Sequence, residues 1–357
     1  MTSDSPNTLS SSSSAVDALA AGTSHAALEL IAASDVVDLH VDSYIWTRLL
    51  GYDLQTSHGG GLFGGRLYSQ VDVPRAKRGG LTGAMWSITT NPWRSAQARA
   101  RALEQNVLRL TQSLEAGGHV QVVRTRQEYL GARAHGRHAA MLAVQGGNAF
   151  DADTRVLPSG AIVRVTLVHM TNSAVGSTSS PLRLGRDRGL GHMGAELVER
   201  ANAARVFVDL AHISPQGFWD AVKVHDRTQP LIVTHTGVSA VHPSWRNIDD
   251  RQLRAIADTG GVIGVVFHGQ YLSGHFFGGP LQAVVRHLAH VVDVAGEDAA
   301  AIGSDWDGLI IPPKELRSCA HLPRLVQALL EHGLSERVIQ KLLGENFLRA
   351  FGELRAG

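Results

Sequence analysis

The sequence is short of most features that would classify it at once. It has one cysteine, Cys319, in 357 residues, so no internal disulfide can form, and we expect a reducing, cytoplasmic setting. No run of 18 or more apolar residues is present, which argues against a membrane span. A net charge of +1 gives no electrostatic case for nucleic acid or an anionic membrane as partner. The opening "MTSDSPNTLSSSSSAVDALAAGTS" contains neither Lys nor Arg and lacks the apolar core of a secretory signal, so residues 1–30 read as a disordered Ser/Ala-rich tail. Missing too is a glycine-rich phosphate fingerprint after the first strand, which weakens an open dinucleotide-binding sheet.

What remains is a long alternation. Apolar runs at 35–41, 80–88, 138–144, 161–168, 205–211, 230–235, 261–267 and 300–305 read as eight buried parallel strands. Helical patterns lie between many of them. In "SAQARARALEQNVLRLTQSLEAGG", Leu103, Val107, Leu110 and Leu114 form one apolar stripe, with Ser95 as cap and Gly117 as stop. Eight strand–helix units over residues 31–357 predict one domain, an α/β (β/α)8 barrel of the TIM type.

In such a barrel, chemistry sits at the C-terminal ends of strands. Here those ends carry His40 and Asp42, Gln145, His169, His212, His235 and Asp305. Strand periodicity puts His40 and Asp42 on one face, where imidazole and carboxylate could share a cation. Imidazole and carboxylate without thiolate suit Zn²⁺, with Mn²⁺, Co²⁺ or Fe²⁺ as other candidates. Each residue also has a plainer reading. The histidines and Asp305 could form polar networks at the rim. Arg246 could pair with Asp249 or Asp250, the latter one helical turn on. "FHGQYLSGHFFGG", with His268 and His275, could be a lid or an ordinary loop, Trp46 could line a pocket or pack on the rim, and "RAKRGG" (75–80) reads as a solvated turn.

The stretches "DLHVD", "VDVPRAKRGGLTGAMWS", "LAVQGG", "TLVHMTN", "VDLAHIS", "THTGVSAVHPSWRNIDD", "IGSDWDG" and "GENFLRAF", in this order over roughly residues 35 to 352, resemble the membrane (renal) dipeptidases, zinc hydrolases on a distorted (β/α)8 barrel. The resemblance implies that His40 and Asp42 bind one zinc and that His212 and His235 bind a second. It implies Asp305 as acid/base, His169 as substrate contact and oxyanion partner, and Arg246 as clamp for the substrate's terminal carboxylate. A small peptide-like substrate and a homodimer come with it. One position departs. Where the family has a glutamate bridging two zincs, this chain has Gln145, a neutral amide that cannot bridge as a carboxylate does. The expectation is therefore a metal-dependent hydrolase of small amides, most simply a dipeptidase, with one or two ions and the second in doubt. A repurposed homologue that binds a peptide-like ligand, or a hydrolase of a modified amide or β-lactam, is the alternative.

Overall fold

A computed structural model describes residues 22–58, 67–155, 157, 160–181 and 185–355. Residues 1–21 of the expected tail lie outside the described residues. Within the expected range, residues 25–30 are instead helical: Ser24 caps helix α1 (His25–Ala33) by accepting from the Ala27 N–H, and Ala27, Leu30 and Ile31 are buried.

The chain continues through β1 (Val37–Val41), α2 (Tyr44–Leu50), α3 (Val73–Arg78), β2 (Gly83–Thr89), α4 (Ala96–Glu115), β3 (Val120–Val122), α5 (Arg126–Ala134), β4 (His138–Gln145) and β5 (Ile162–Thr166). It then forms α6 (His192–Ala203), β6 (Phe207–Asp209), α7 (Pro215–Val224), β7 (Val233–Thr236), α8 (Asp250–Ala257), β8 (Ile263–Val265), α9 (Gly269–Ser273), α10 (Leu281–Ala295) and β9 (Ala300–Ile302). Helices α11 (Leu322–Glu331), α12 (Glu336–Gln340) and α13 (Asn346–Leu354) finish it. All eight expected strands are present. The unexpected one, β3, has three residues, too few to leave a period. It pairs with the start of β4 (Val120 opposite His138), where β5 has not yet begun.

Every strand ladder is parallel, in two runs, β1-β2-β4-β5-β6 and β7-β8-β9. Two single bridges join the runs, Asp209 with Ile232 and Val41 with Trp306. Leu210 N–H donates to Ile232 O and Asp42 N–H to Trp306 O, each at 2.9 Å. The sheet thus closes into the barrel the alternation predicted, with two thin seams. Each seam is reinforced by a buried carboxylate. Asp38 Oδ1 accepts from the His40 and Ser304 N–H groups (3.0 and 2.9 Å). Asp209 accepts from Thr234 N–H (2.9 Å) and from the Thr234 hydroxyl (2.7 Å).

Helix α4 follows its expected pattern, with Ser95 as cap and Leu103, Leu110 and Leu114 buried. Helix α8 opens with a reciprocal capping box between Asp249 and Gln252. At the strand N-termini, Phe347 and Phe351 of α13 lie 5.8 and 6.2 Å from the Phe207 ring. Together with Val37, Met85, Ile232 and Val262 they form an apolar plug. The "RAKRGG" reading is corrected. Arg75 is buried in α3, held by Asp72 (2.5 Å), by Ser69 O (2.6 Å) and by the Tyr52 hydroxyl (3.1 Å).

Buried neutral histidines tie loops to this frame. His287 of α10 accepts from Val238 N–H through Nδ1 (2.8 Å) and donates from Nε2 to Leu272 O (3.0 Å). Burial pushes its pKa, and that of His138, from 6.5 down to about 4. A depressed histidine stabilises the fold fully above pH 6.5, and that contribution is lost as pH falls toward 4. Unfolding in urea should therefore show lower stability at pH 5 than at pH 7, by up to about 2 kcal/mol per such histidine. His287→Gln should make that fall shallower.

Candidate metal centre

The structure brings His40, Asp42, Gln145, His212, His235 and Asp305 to one rim. His40 is in β1 and Asp42 just beyond it. Gln145 is the last residue of β4, and His235 is in β7. His212 and Asp305 lie three residues past β6 and β9, both on left-handed backbone (φ 66° and 63°), a conformation kept by non-glycine residues only where surroundings enforce it. Beyond Gln145, Gly146 takes φ 104° with His169 alongside, and a Cβ on Gly147 would strike Leu167 O at 2.5 Å. The two glycines let β4 end against the site.

His40, His235 and Asp305 each offer a ligand atom within 4.8 Å of the others, a buried group consistent with a metal ion. The His40 and His235 rings stack at 3.8 Å, and His212 Nε2 lies 2.8 Å from His235 Nε2. The partner of each ring's far nitrogen decides whether the near one can hold an ion. Thr234 gives its hydroxyl proton to Asp209, so its Oγ1 can only accept from His235 Nδ1 (2.8 Å). His235 therefore carries its proton on Nδ1 and presents a lone pair at Nε2, as a metal ligand must. His212 turns its Nε2 to that same lone pair at 2.8 Å, so the two near nitrogens converge on one point, while its Nδ1 is buried without a partner. This half fits a metal ion.

The other half is arranged differently. The Gln145 amide nitrogen faces the Asp42 carboxylate (3.1 and 3.2 Å) and its oxygen faces His40 Nε2 (3.2 Å), the orientation that satisfies both groups. Asp42 Oδ2 and Asp305 Oδ1 stand 3.4 and 3.6 Å from the same nitrogen. His40 Nδ1, on the other side of the ring, is met by Arg164 Nη2 (3.0 Å) and the Ser87 hydroxyl (3.3 Å).

Burial first, and the Asp42 charge second, push the Asp305 carboxyl well above the usual carboxylate range. Burial lowers the His169 pKa to about 4, so it is neutral at pH 7; its ring meets His212 edge-on at 4.7 Å. Arg246 is buried, and its Nη2 has no partner. Neither alternative partner holds it: Asp249 caps α8, and Asp250 pairs with His290 at 2.8 Å. Its charge bears on His169, His212 and His235. Trp46 is fastened to the rim, its Nε1–H donating to Asp307 O (2.7 Å). In the glycine-rich loop His268 is buried and accepts from Ile311 N–H (3.2 Å), whereas Phe276 and Phe277 are exposed.

Sequence reasoning passed over Arg164, Ser87, Asp209 and Thr234. One signal was available. An arginine in the middle of "AIVRVTLV" is out of place in a strand buried on both faces, unless it has a buried partner.

Residues 24–356 match the family model described as membrane dipeptidase (peptidase family M19). A Klebsiella pneumoniae protein, described as an uncharacterised protein in the pqqA 5' region, is 40% identical over 164 residues, 45% of this chain and 59% of that protein. The chain thus matches less than two thirds of that relative's length. The crystal structure of a metallopeptidase, dipeptidase AC, is similar with TM-score 0.78 and 27% identity, covering 91% of this chain and 99% of that one. A Rhodobacter sphaeroides metallopeptidase, solved with a phosphinate mimic of the dipeptide L-Ala-D-Ala, has TM-score 0.76 and 25% identity, covering 90% and 99%. The probable dipeptidase PvdM of Pseudomonas aeruginosa, TM-score 0.81 at 20% identity over 93% and 98%, supports the fold alone.

Thr234→Val removes the acceptor that fixes the His235 tautomer. Competition against a chromophoric chelator should show divalent-metal affinity reduced about ten- to a hundredfold. Unchanged affinity would mean that Thr234 does not set the ring.

Proposed function

The chain belongs to the membrane dipeptidase family, peptidase family M19, and on that premise we propose that it is a metal-dependent hydrolase of small amides, with a dipeptide as the first substrate to test. The observation that carries the reading is the convergence of His212 Nε2 and His235 Nε2 (2.8 Å) with the Asp305 carboxylate close by, beside a buried arginine whose Nη2 has no partner. His212 and His235 are the residues we assign to the ion, with zinc favoured by their donor character. When bound, such an ion supplies Lewis acidity and a lowered pKa for water.

The chain's own groups do the rest. The Asp305 carboxyl, which burial raises above the usual carboxylate range, is suited to receive the proton of the attacking water and pass it to the leaving amine. Arg246 has a guanidinium face free for the terminal carboxylate of a peptide-like substrate. Neutral His169 can donate a hydrogen bond to the developing oxyanion without bringing a second fixed charge. Family resemblance is the ground for a homodimer, and the single buried Cys319 for a cytoplasmic setting. Among the described residues no helix is long and apolar enough to cross a membrane.

The test is hydrolysis of a dipeptide panel by the zinc-loaded chain. Asp305→Asn should lower kcat about a hundredfold or more. Arg246→Met should raise KM at least about tenfold, the loss of a charge-assisted hydrogen bond. Failure of the zinc-loaded chain on dipeptides, β-lactams and modified amino-acid amides alike would sink the hydrolase reading. The closed contacts of Gln145 favour one other reading, a homologue that binds a peptide-like ligand without turnover. Dipeptide binding by calorimetry in a chain that takes up no transition metal would support it.

A further inference from the structure

Arg164 is fully buried in β5, at a place no strand-end reading considers. Its Nη1 pairs with Asp209 (3.3 Å) and donates to the Thr166 hydroxyl. Its Nη2 donates to Ser87 Oγ (2.8 Å) and to His40 Nδ1 (3.0 Å). A guanidinium has donors only, so His40 Nδ1 must accept. The Ser87 oxygen accepts a hydrogen bond from Arg164 and can turn its own hydroxyl toward the same nitrogen. A neutral His40 thus keeps its proton on Nε2. The surroundings of Nε2 agree, for the Gln145 oxygen and Asp42 Oδ2 that face it are acceptors. Metal-bound histidines are arranged the other way, donating from the remote nitrogen to a carboxylate, carbonyl or water while the near nitrogen offers its lone pair.

The charges point the same way. A pair of dications about 3.5–4 Å apart needs carboxylates between and around them. This rim offers Asp42 and Asp305, replaces the bridging position by an amide, and adds a permanent cation behind His40. Gln145 suits that arrangement, because a carboxylate in its place would face Asp42 at hydrogen-bonding distance with no ion to separate them.

We propose that Arg164 stands in for the second metal ion: it locks His40 in the Nε2–H form and supplies fixed positive charge, so the chain holds at most one ion, on His212 and His235. The proposal rests on the metal-centre reading above for the occupied half and on the Arg164 geometry for the closed half. It also assigns Gln145 and Arg164 to one paired change. Restoring glutamate alone leaves the His40 lone pair turned away from the site.

The test uses full-length chain labelled with ¹⁵N-histidine, with zinc stoichiometry measured by elemental analysis after equilibrium dialysis. In the wild type, long-range ¹H–¹⁵N spectra should show His40 protonated on Nε2 before and after zinc, with no more than one equivalent bound. Gln145→Glu should stay at one equivalent. Gln145→Glu combined with Arg164→Met should reach two, with loss of the His40 Nε2–H signal on zinc addition. Two equivalents in the wild type, a His40 proton on Nδ1, or a folded double variant that still binds one would overturn the proposal. No zinc bound in the wild type, with His40 keeping its Nε2 proton, would overturn the hydrolase reading while supporting the role of Arg164. If the double variant does not fold, the wild-type tautomer and stoichiometry decide.

Discussion

The arrangement of the rim depends on one buried carboxylate, Asp209. It lies at the seam between β6 and β7, where the ladder thins to a single bridge. Its oxygens collect the Thr166 and Thr234 hydroxyls, the Thr234 and Ala211 N–H groups and the Arg164 guanidinium. With this many donors turned toward it, the carboxylate organises every group that donates to it. Through Thr234 it makes His235 present a lone pair. Through Arg164 it makes His40 present a proton. A single negative charge therefore sets two stacked imidazoles in opposite tautomers.

That asymmetry explains why the two halves of a site drawn from equivalent residue types are not equivalent. Counting ligand types at strand ends treats His40 and His235 alike. What separates them is the partner of the far nitrogen, a hydroxyl acceptor in one case and a guanidinium donor in the other. Gln145 belongs to the same logic. Its nitrogen answers Asp42 and its oxygen answers His40, so the amide completes a hydrogen-bonded chain where a metal pair would have needed charge.

Much of this was legible in the sequence. Eight apolar runs separated by helical patterns predicted the barrel, and polar residues at their ends predicted the rim, because strand direction alone decides which end a residue occupies. The capping of α4 by Ser95 was visible for the same local reason. Four things were not. The β3 strand is too short to show a period. Helix α1 sits in a segment whose composition imitates the tail before it. Arg75 looked like a surface cation because its partners, Ser69, Asp72 and Tyr52, meet it only after the chain folds back. Arg164 belongs with them. Its partners come from β1, β2 and β6, and no local pattern reports a contact spanning 124 residues.

The seam between β1 and β9 has a consequence in time. Asp38 meets the Ser304 backbone across 266 residues, and Asp305 N–H reaches back to His40 O. Contacts so distant in sequence carry a large closure cost and form late. Residues of the rim taken from early strands must wait for the last strand before their positions are set. A chain emerging from the ribosome thus exposes His40 and Asp42 long before Asp305 exists to join them.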